Sequence, residues 1–514
     1  MDTLICAGGS GTRVLESLLH LCAAGLGPKR LRTFIIDADA TNGSVEKASK
    51  LVASYVACQK AFGEGPFFKT ELDLLEGSPR LRVWSPVDRH QKFRQVLNYE
   101  GLSRDQREIA DLLFTEEEFD TEMEVGFLGH PALGAAALSL LPLFRNDPKD
   151  PLWDQVATEL HHDVNSGAAN VMIAGSIFGG TGASAIHPLV RYLRSPDLLE
   201  ANREKLKVGA VALTPYFMFS EADAAAKGIR KPDKTGAKSE DFPLASRSAA
   251  EYYEHLHTQH DWGFDAMYWI GDDDPAKVDY SRGGSDQNNP AHFVELLGAL
   301  ACRTFFGAPS ANQEFFYSGP AENGNFRDRN IVSWLDLPLQ GDDRKEVRDK
   351  IHRFHLAGMA HLGFFNPLLA SSKLAERPYV IPWYRDYFAN GAGALTSAAA
   401  IEDTNLLTEY FARSYFPWWE EIHRLGDRVQ LLNQNVWMRG DAGEQYVMLD
   451  QLTAVLYEDR NRRSTYGMDI FFDWTVRVAV RSKGVAKPAS RYFSILGDAA
   501  WEFVKQRNAG RGYR

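Results

Sequence analysis

The feature that most constrains the fold of this 514-residue chain is an apolar run that leads through a glycine-rich turn directly into an amphipathic helix. The run covers residues 171–178, and its pattern is typical of a buried strand. Because glycine lacks a Cβ, N–H groups in such a turn can approach an anion closely, and the helix N-terminus favours negative charge. The alternative interpretation is an ordinary tight turn. The candidate phosphate-binding residues are Gly179, Gly180, Thr181, Gly182 and Ala183.

A second glycine-rich turn follows residues 3–7, which also have the pattern of a short buried strand. The apolar residues after this turn recur at helical spacing, so the chain is predicted to begin with a strand, a phosphate loop and a helix. Arg13 can add a charge-assisted contact to a phosphate. The candidate residues in this turn are Gly8, Gly9, Ser10, Gly11, Thr12 and Arg13.

Two carboxylates stand at the end of the next predicted strand, which covers residues 31–36. An acid at the end of the second strand of a doubly wound sheet commonly meets a ribose hydroxyl or a metal-bound water. Asp37 and Asp39 are therefore candidate nucleotide contacts, although an ordinary strand-end turn explains them equally well.

The order of these loops resembles the tubulin and FtsZ superfamily, as in a divergent prokaryotic member. That family has a Gly-Gly-Thr-Gly-Ser/Thr-Gly loop after a hydrophobic strand, and in this chain Ser184 replaces the last glycine. Residues 126–134 are similar to the glycine-rich γ-phosphate loop of FtsZ. The resemblance assigns Gly129, His130 and Pro131 to that loop.

The resemblance also implies contacts with the sugar and the base of a nucleotide. Pro215 lies in a Thr-Pro-Tyr segment that closes a predicted strand, similar to the sugar-contacting loop of the family. Asn288 and Asn289 precede a long apolar helix, and in the family an amide near the start of this central helix contacts guanine. A plain helix N-cap is the alternative role for these asparagines.

The resemblance implies GTP or GDP with Mg²⁺ as cofactors, and hydrolysis that is coupled to head-to-tail self-association. In the family, an acidic loop completes the active site of the neighbouring subunit, and Asp336 and Asp342 are the nearest candidates here. An acid is needed because the attacking water must be oriented and partly deprotonated. This segment departs from the Asn-x-Asp-x-x-Asp pattern of FtsZ, and a solvated turn before the following helix is the alternative.

Three functions follow from these motifs. The first is a GTPase that assembles head to tail, and the second is a nucleotide-binding scaffold or switch without efficient hydrolysis, which the altered acidic loop favours. The third is a sugar nucleotidyltransferase, because residues 8–13 are close to the Gly-Gly-x-Gly-Thr-Arg loop of that family. The third is the weakest, because residues 14–18 replace the family's Pro-Leu-Thr stretch and Lys29 comes too late to match its lysine.

The predicted fold is α/β, with a Rossmann-like tubulin/FtsZ GTPase domain and its central helix in residues 1–305. A divergent α+β domain is expected in residues 306–514, with the acidic loop near residues 330–343 and aromatic-rich helices. Trp418 and Trp419 belong to those helices, and we expect them in the core.

Net charge, cysteine spacing and the length of the apolar runs limit which partners and which cellular compartment we expect. A formal net charge of −11 argues against a broad nucleic-acid surface. The four cysteines lie in apolar surroundings and form no Cys-x-x-Cys pair, so we predict neither a disulfide framework nor a zinc site. We expect no signal peptide, because Met1 and Asp2 lead directly into the first predicted strand, and no membrane span, because no apolar run reaches the ~18 residues that a span needs. We therefore expect a cytoplasmic protein that associates with itself, and the sequence is compatible with further protein partners.

Overall fold

The structure is a computed structural model that describes most of the chain. The residues that it does not describe are 40–41, 75–79, 89, 124–126, 128–129, 141–150, 197, 200–201, 221–238, 260, 280–283, 285–286, 310–312, 318–330, 370–382, 385–394, 396, 426–427, 440–444, 448–453, 460–466 and 510–514. Gly129 of the predicted γ-phosphate loop lies outside the described residues.

The chain divides into two compact units. The first unit comprises Met1–Leu18, Arg30–Lys50 and Leu72–Gly319. The second comprises Leu19–Lys29, Leu51–Glu71 and Pro320–Arg514.

An eight-stranded sheet is the centre of the first unit. Its strands are β1 (Asp2–Ala7), β2 (Arg30–Ile36), β3 (Glu71–Asp73), β4 (Arg82–Trp84), β5 (Ala169–Ser176), β6 (Leu206–Leu213), β8 (Ala266–Ile270) and β10 (Gln313–Tyr317). A separate parallel pair is formed by β7 (Phe217–Phe219) and β9 (Ala276–Val278).

The strand order is β10-β8-β6-β5-β1-β2-β3, and β4 also pairs with β2. The pairs β1–β2, β1–β5, β5–β6, β6–β8, β8–β10 and β2–β4 are all parallel. The strands that follow β1 and β5 therefore extend in opposite directions from the centre of the sheet. This arrangement confirms the predicted α/β class and is that of a Rossmann-like domain.

Ten helices are described between the N-terminus and the end of the first unit. They are α1 (Gly8–Ala23), α2 (Gly43–Phe62), α3 (Phe93–Val96), α4 (Arg104–Leu113), α5 (Glu116–Phe119), α6 (Pro131–Leu140), α7 (Pro151–Ser166), α8 (Gly180–Leu193), α9 (Phe242–Thr258) and α10 (Phe293–Gly307). Short 3₁₀ turns occur at Tyr99–Gly101, Arg203–Lys205 and Ser239–Asp241.

Helices cover both faces of the sheet because the central strands are apolar on both sides. On one face, Ile5 and Ile173 share a buried core with Ile186 of α8 and with residues of α7 and α9. On the other face, Gly298 of α10 packs so closely on Val14 of α1 that a Cβ there would lie 3.0 Å from a valine methyl. The sheet is thus buried, as parallel sheets require.

The central helix begins later than predicted. Its N-cap is His292 rather than an asparagine, and α10 starts at Phe293. The imidazole of His292 accepts the N–H of Val294, and the Glu295 carboxylate accepts the N–H of His292. This capping box satisfies two N–H groups at the helix start, so the N-cap role of Asn288 and Asn289 is wrong.

The second unit is mainly helical in its described part. Its elements are α11 (Gly341–Ala360), α12 (Asn366–Leu369), α13 (Ala398–Tyr410), α14 (Phe416–His423), β11 (Trp437–Arg439), β12 (Gln445–Val447), α15 (Met468–Val478) and α16 (Pro488–Asn508). The π-helical turns His361–Phe365 and Phe411–Tyr415 and the 3₁₀ turns Gln434–Val436, Tyr457–Asp459 and Ala479–Gly484 connect these elements.

Aromatic side chains form much of the core of the second unit. Trp418 and Trp419 are each 1% exposed, which confirms their predicted place in the core. His20 packs on Trp418 with a ring separation of 4.6 Å. Among the described residues, none of the helices is both long enough and apolar enough to cross a bilayer.

Candidate functional site

The two glycine-rich turns meet at the carboxyl ends of β1 and β5. These strands are paired in parallel, with Ala7 opposite Gly175, so the turns that follow them are neighbours. A Cβ on Gly8 would lie 3.3 Å from the Thr181 Cβ and 3.4 Å from the Gly182 nitrogen. Gly8 also has a φ of +75°, which L side chains rarely adopt. The two predicted loops therefore form one continuous surface of main chain.

Part of the glycine pattern serves close packing rather than ligand approach. A Cβ on Gly11 would lie 2.2 Å from the carbonyl oxygen of Ala174 in β5. The first turn of α1 is thereby pressed against the strand that precedes the second loop. This packing brings the N-terminus of α1 close to that loop.

Two helix N-termini begin at this surface. Helix α1 starts at Gly8, immediately after β1, and α8 starts at Gly180 with Gly179 as its N-cap. The N-terminus of α8 receives no side-chain cap. Because the first N–H groups of a helix lack partners within it, they can bind an anion together with the positive end of the helix dipole.

Asp37 and Asp39 lie at the end of β2, which is next to β1. Asp37 is 3% exposed, and its Oδ1 accepts the N–H of Asp39 at 3.1 Å. Its Oδ2 is buried and has no hydrogen-bond partner among the described residues. The Oδ2 of Asp39 accepts the N–H of Gly284 at 2.6 Å, so this carboxylate anchors the chain that leads to α10.

Burial raises the pKa of Asp37 to about 7, although the N–H that it accepts from Asp39 acts in the opposite direction and the Asp39 carboxylate raises the pKa further. A buried carboxylate with an unpartnered oxygen is costly when charged. A cation or a hydroxyl group beside this oxygen would remove that cost. Asp37 is therefore the acid at this edge that best fits a ligand.

Asn42 links the first glycine loop to the segment before α10. A Cβ on Gly9 would lie 3.2 Å from the Asn42 Nδ2. The same nitrogen donates to the Gln287 Oε1 at 2.8 Å, and the Asn42 Oδ1 accepts the N–H of Ser44 at 2.8 Å. The segment before Asn288 and Asn289 is thus tied to the first glycine loop.

The two candidate base-binding asparagines differ in their surroundings. Asn288 is exposed, whereas Asn289 is only 6% exposed. The Nδ2 of Asn289 is buried and has no hydrogen-bond partner among the residues that the structure describes. A buried amide with unused donors is the better candidate for a base contact.

Arg13 forms a buried cluster with Tyr216 and Glu295. Its Nε lies 2.5 Å from the Glu295 Oε1, and its Nη2 donates to the Tyr216 hydroxyl at 2.7 Å. The hydroxyl in turn donates to the Glu295 Oε1 at 2.8 Å. Burial alone lowers the pKa of the guanidinium, but Tyr216 and Glu295 raise it overall, so Arg13 remains charged. The cluster joins α1, the segment after β6 and α10.

This cluster occupies most of the donors of Arg13. The guanidinium also approaches the Ser10 Oγ at 3.3 Å and the Ser44 Oγ at 3.4 Å. A direct contact between Arg13 and a phosphate stays a prediction. Pro215, beside Tyr216, is half-buried and is held to this region by the same cluster.

The third predicted phosphate loop lies beside the second one. His130 donates its N–H to the Phe127 carbonyl at 2.7 Å, and Pro131 is the first residue of α6. One turn further, a Cβ on Gly134 would lie 2.3 Å from the Ser184 Oγ of α8. This packing brings the described part of the loop near the start of α8.

The predicted catalytic acids belong to the second unit. The Oδ2 of Asp336 accepts the N–H of Ser333 at 2.8 Å and its hydroxyl at 2.6 Å, so this carboxylate closes its own turn. Asp342 is exposed in the first turn of α11. The action of either acid on the nucleotide of an adjoining molecule stays a prediction.

Several residues of the site were not among the predicted contacts. Asn42, Tyr216, Gln287 and Glu295 hold the loops together, although none of them lies in a glycine motif. The spacing of His292 and Glu295 is that of a capping box, which was the one local signal for Glu295. Among the described residues, no group of three or more His, Cys, Asp or Glu side chains is placed to hold a metal ion.

Comparison with known proteins does not assign a family. No protein-family model matches this chain, and no curated protein matches it. A functional conclusion therefore depends on the geometry of the converging loops.

We expect the Asp37→Asn variant to be more stable than the original protein at pH 8 and equally stable near pH 4. The pKa of Asp37 is about 7 in the folded protein and close to the ordinary value of 3.8 in the unfolded chain. Between these pH values the folded protein therefore keeps a proton on Asp37 that the unfolded chain releases. Its stability therefore falls as the pH rises through this window, by at most about 1.4 kcal/mol per pH unit. Urea unfolding from pH 4 to pH 8 measures this, and a constant difference would contradict it.

Proposed function

We propose that this protein binds a guanine nucleotide at the carboxyl edge of its sheet and hydrolyses it within a head-to-tail assembly, as members of the tubulin and FtsZ superfamily do. One observation supports this proposal most strongly. The glycine turns after β1 and β5 are in direct contact through Gly8 and Thr181. Neither turn alone identifies a nucleotide site, but two of them on one surface match a polyphosphate.

The position of these turns also supports the proposal. In open α/β sheets, ligands bind outside the carboxyl ends of the strands, at the point where the strand order reverses. Here that point lies between β1 and β5, because the chain continues to β2 on one side and to β6 on the other. The two turns are the connections that leave from this point.

Each loop has a role in this proposal. The main-chain N–H groups at the starts of α1 and α8 bind the phosphates, because the first N–H groups of a helix lack partners within it. The remaining residues of segments 8–13 and 179–183 shape and pack the two turns. His130 and Pro131 approach the terminal phosphate, and Pro215 contacts the sugar. Asn289 uses its unpartnered Nδ2 to bind an acceptor on the base.

The residues at the end of β2 fit a divalent cation that is shared with a nucleotide. Mg²⁺ is commonly held by one or two carboxylates together with substrate phosphates, and here Asp37 offers a buried, unpartnered Oδ2. When bound, Mg²⁺ neutralises the charge that develops on the phosphates. Asp37 would hold it, whereas Asp39 is engaged with the main chain of Gly284.

The Ala183→Glu variant is expected to bind GTP at least about tenfold more weakly than the Ala183→Gln variant. Ala183 is half-buried at the end of the first turn of α8. An added carboxylate there is compatible with the helix dipole but repels phosphate. Isothermal titration with GTP and Mg²⁺ measures the affinities, and the circular dichroism of both variants confirms the fold. Equal affinities would contradict phosphate binding at this loop.

The Asn289→Asp variant is expected to lose at least about tenfold in GTP affinity, whereas Asn288→Asp changes it little. Guanine presents acceptors at O6 and N7, so an acid in place of the amide removes a donor and adds repulsion. Competition binding with GTP and ATP measures both affinity and base preference. If the two variants bind GTP equally well, Asn289 does not contact the base.

A second candidate function is nucleotide binding without efficient hydrolysis. Asp336 favours it, because the Ser333 N–H and hydroxyl already occupy one oxygen of its carboxylate. A scaffold or switch of this kind would keep the phosphate loops and lack an efficient acid. Both candidates bind the same nucleotide and differ in turnover.

GTP turnover per molecule is expected to rise with protein concentration if the first function is correct. An active site that is shared between two molecules is complete only when they associate. Phosphate release over a wide range of protein concentrations measures this dependence, with Asp336→Asn and Asp342→Asn as variants. Tight GTP binding with negligible turnover at every concentration would support the second candidate.

A further inference from the structure

We infer that two oppositely charged surfaces with exposed apolar centres join one copy of this chain to the next. The inference rests on the self-association proposed above and specifies where the contact is made. The first surface, named the acidic α4 surface, consists of residues 97–122. The second, named the basic α15 surface, consists of residues 474–491.

The acidic α4 surface exposes three large aliphatic side chains. Ile109, Leu112 and Leu113 of α4 are 58%, 86% and 64% exposed. Ile109 is three and four residues before the two leucines, so the three side chains lie on neighbouring parts of one helix face. The opposite side of α4 is covered by the protein's own core, because Ala110 packs in a buried cluster with Phe93.

Carboxylates surround these aliphatic residues. Glu108 is 65% exposed and pairs with Arg104, and Glu116 is 79% exposed and pairs with Arg94. Residues 97–122 contain nine acidic residues against two basic ones. The acidic residues are Glu100, Asp105, Glu108, Asp111, Glu116, Glu117, Glu118, Asp120 and Glu122.

The acidic α4 surface is connected to the proposed nucleotide site through a common core. The cluster of Phe93, Phe114 and Phe119 that supports α4 also includes Ala38 and Leu133. Ala38 lies between the two acids at the end of β2, and Leu133 lies in the first turn of α6. A nucleotide bound at those loops would therefore contact elements that share a core with α4.

The basic α15 surface has the complementary composition. Val476 and Val480, four residues apart, are 38% and 53% exposed. The guanidinium of Arg477 lies 5.0 Å from the centre of the Trp474 ring, and Arg481 remains 50% exposed although it pairs with Glu502. All charged residues of this segment are basic: Arg477, Arg481, Lys483, Lys487 and Arg491.

A second copy is the occupant that these properties favour. Each surface has an aliphatic centre and a charged rim, and the two rims are opposite in sign, as in complementary interfaces. Two acidic α4 surfaces repel each other, so the acidic α4 surface of one copy meets the basic α15 surface of another. The head-to-tail assembly proposed above makes this contact heterologous. Heterologous contacts generate rings or open filaments, in agreement with head-to-tail assembly.

Two variants test the inference, each altering one surface. Leu112→Lys with Leu113→Lys alters the acidic α4 surface, and Val476→Asp with Val480→Asp alters the basic α15 surface. Each variant alone is expected to self-associate at least about tenfold more weakly than the original chain, because a charged side chain replaces an aliphatic one that the contact would bury. Sedimentation velocity with GTP and Mg²⁺ measures the association.

The decisive measurement mixes the two variants. One retains an intact basic α15 surface and the other an intact acidic α4 surface, so together they form a single productive contact. We expect a 1:1 dimer that grows no further and that weakens as the salt concentration rises. A mixture that stays monomeric while the original chain assembles would overturn the inference.

Controls separate this inference from the proposed function. Leu244→Asp removes another aliphatic side chain that is 66% exposed, and it should assemble normally. Both surface variants should bind GTP as the original chain does, which shows that they fold. If both variants still bind GTP and still assemble, the contact is not made by these surfaces, and the proposed function is unaffected. A chain that binds GTP and never associates would refute the head-to-tail assembly as well.

Discussion

The parallel pairing of β1 with β5 is the constraint on which the proposed site depends. Once Ala7 is opposite Gly175, the turns that leave both strands emerge side by side, and Gly8 lies against Thr181. The close contact requires glycine at position 11, because any larger side chain there would clash with the carbonyl oxygen of Ala174. Glycine in the first turn of α1 thus has two roles: it permits the packing of the helix on the sheet, and it exposes main-chain N–H groups.

The cluster of Arg13, Tyr216 and Glu295 is a second constraint on the proposed site. A buried ion pair is weak evidence for stability, but removing one partner typically costs about 3–5 kcal/mol because the other charge remains buried. In this protein the cluster connects three separate segments, so it maintains their relative position. Glu295 also accepts the N–H of His292, and this second bond fixes where the central helix begins.

Prediction from sequence succeeded where a property is local. The strand patterns of residues 3–7 and 171–178 and the glycines after them reflect burial and turn chemistry that neighbouring residues determine. The start of the central helix was predicted incorrectly, because asparagine is a frequent cap and histidine an infrequent one. The choice of His292 depends on Glu295, whose position depends in turn on Arg13, 282 residues away in the chain. A prediction from neighbouring residues cannot include a contact between residues so far apart in the chain.

By itself, the sequence determined the class of the fold, the position of the glycine turns and the apolar character of the strands, because each follows from the periodicity and backbone freedom of adjacent residues. Tertiary structure alone decided that the two turns share one surface, that Asn289 is buried while Asn288 is exposed, and that Asp37 has an unpartnered oxygen. These properties depend on contacts between residues far apart in the chain. Burial and hydrogen-bond satisfaction are set by all neighbours in space, and only the folded chain specifies them.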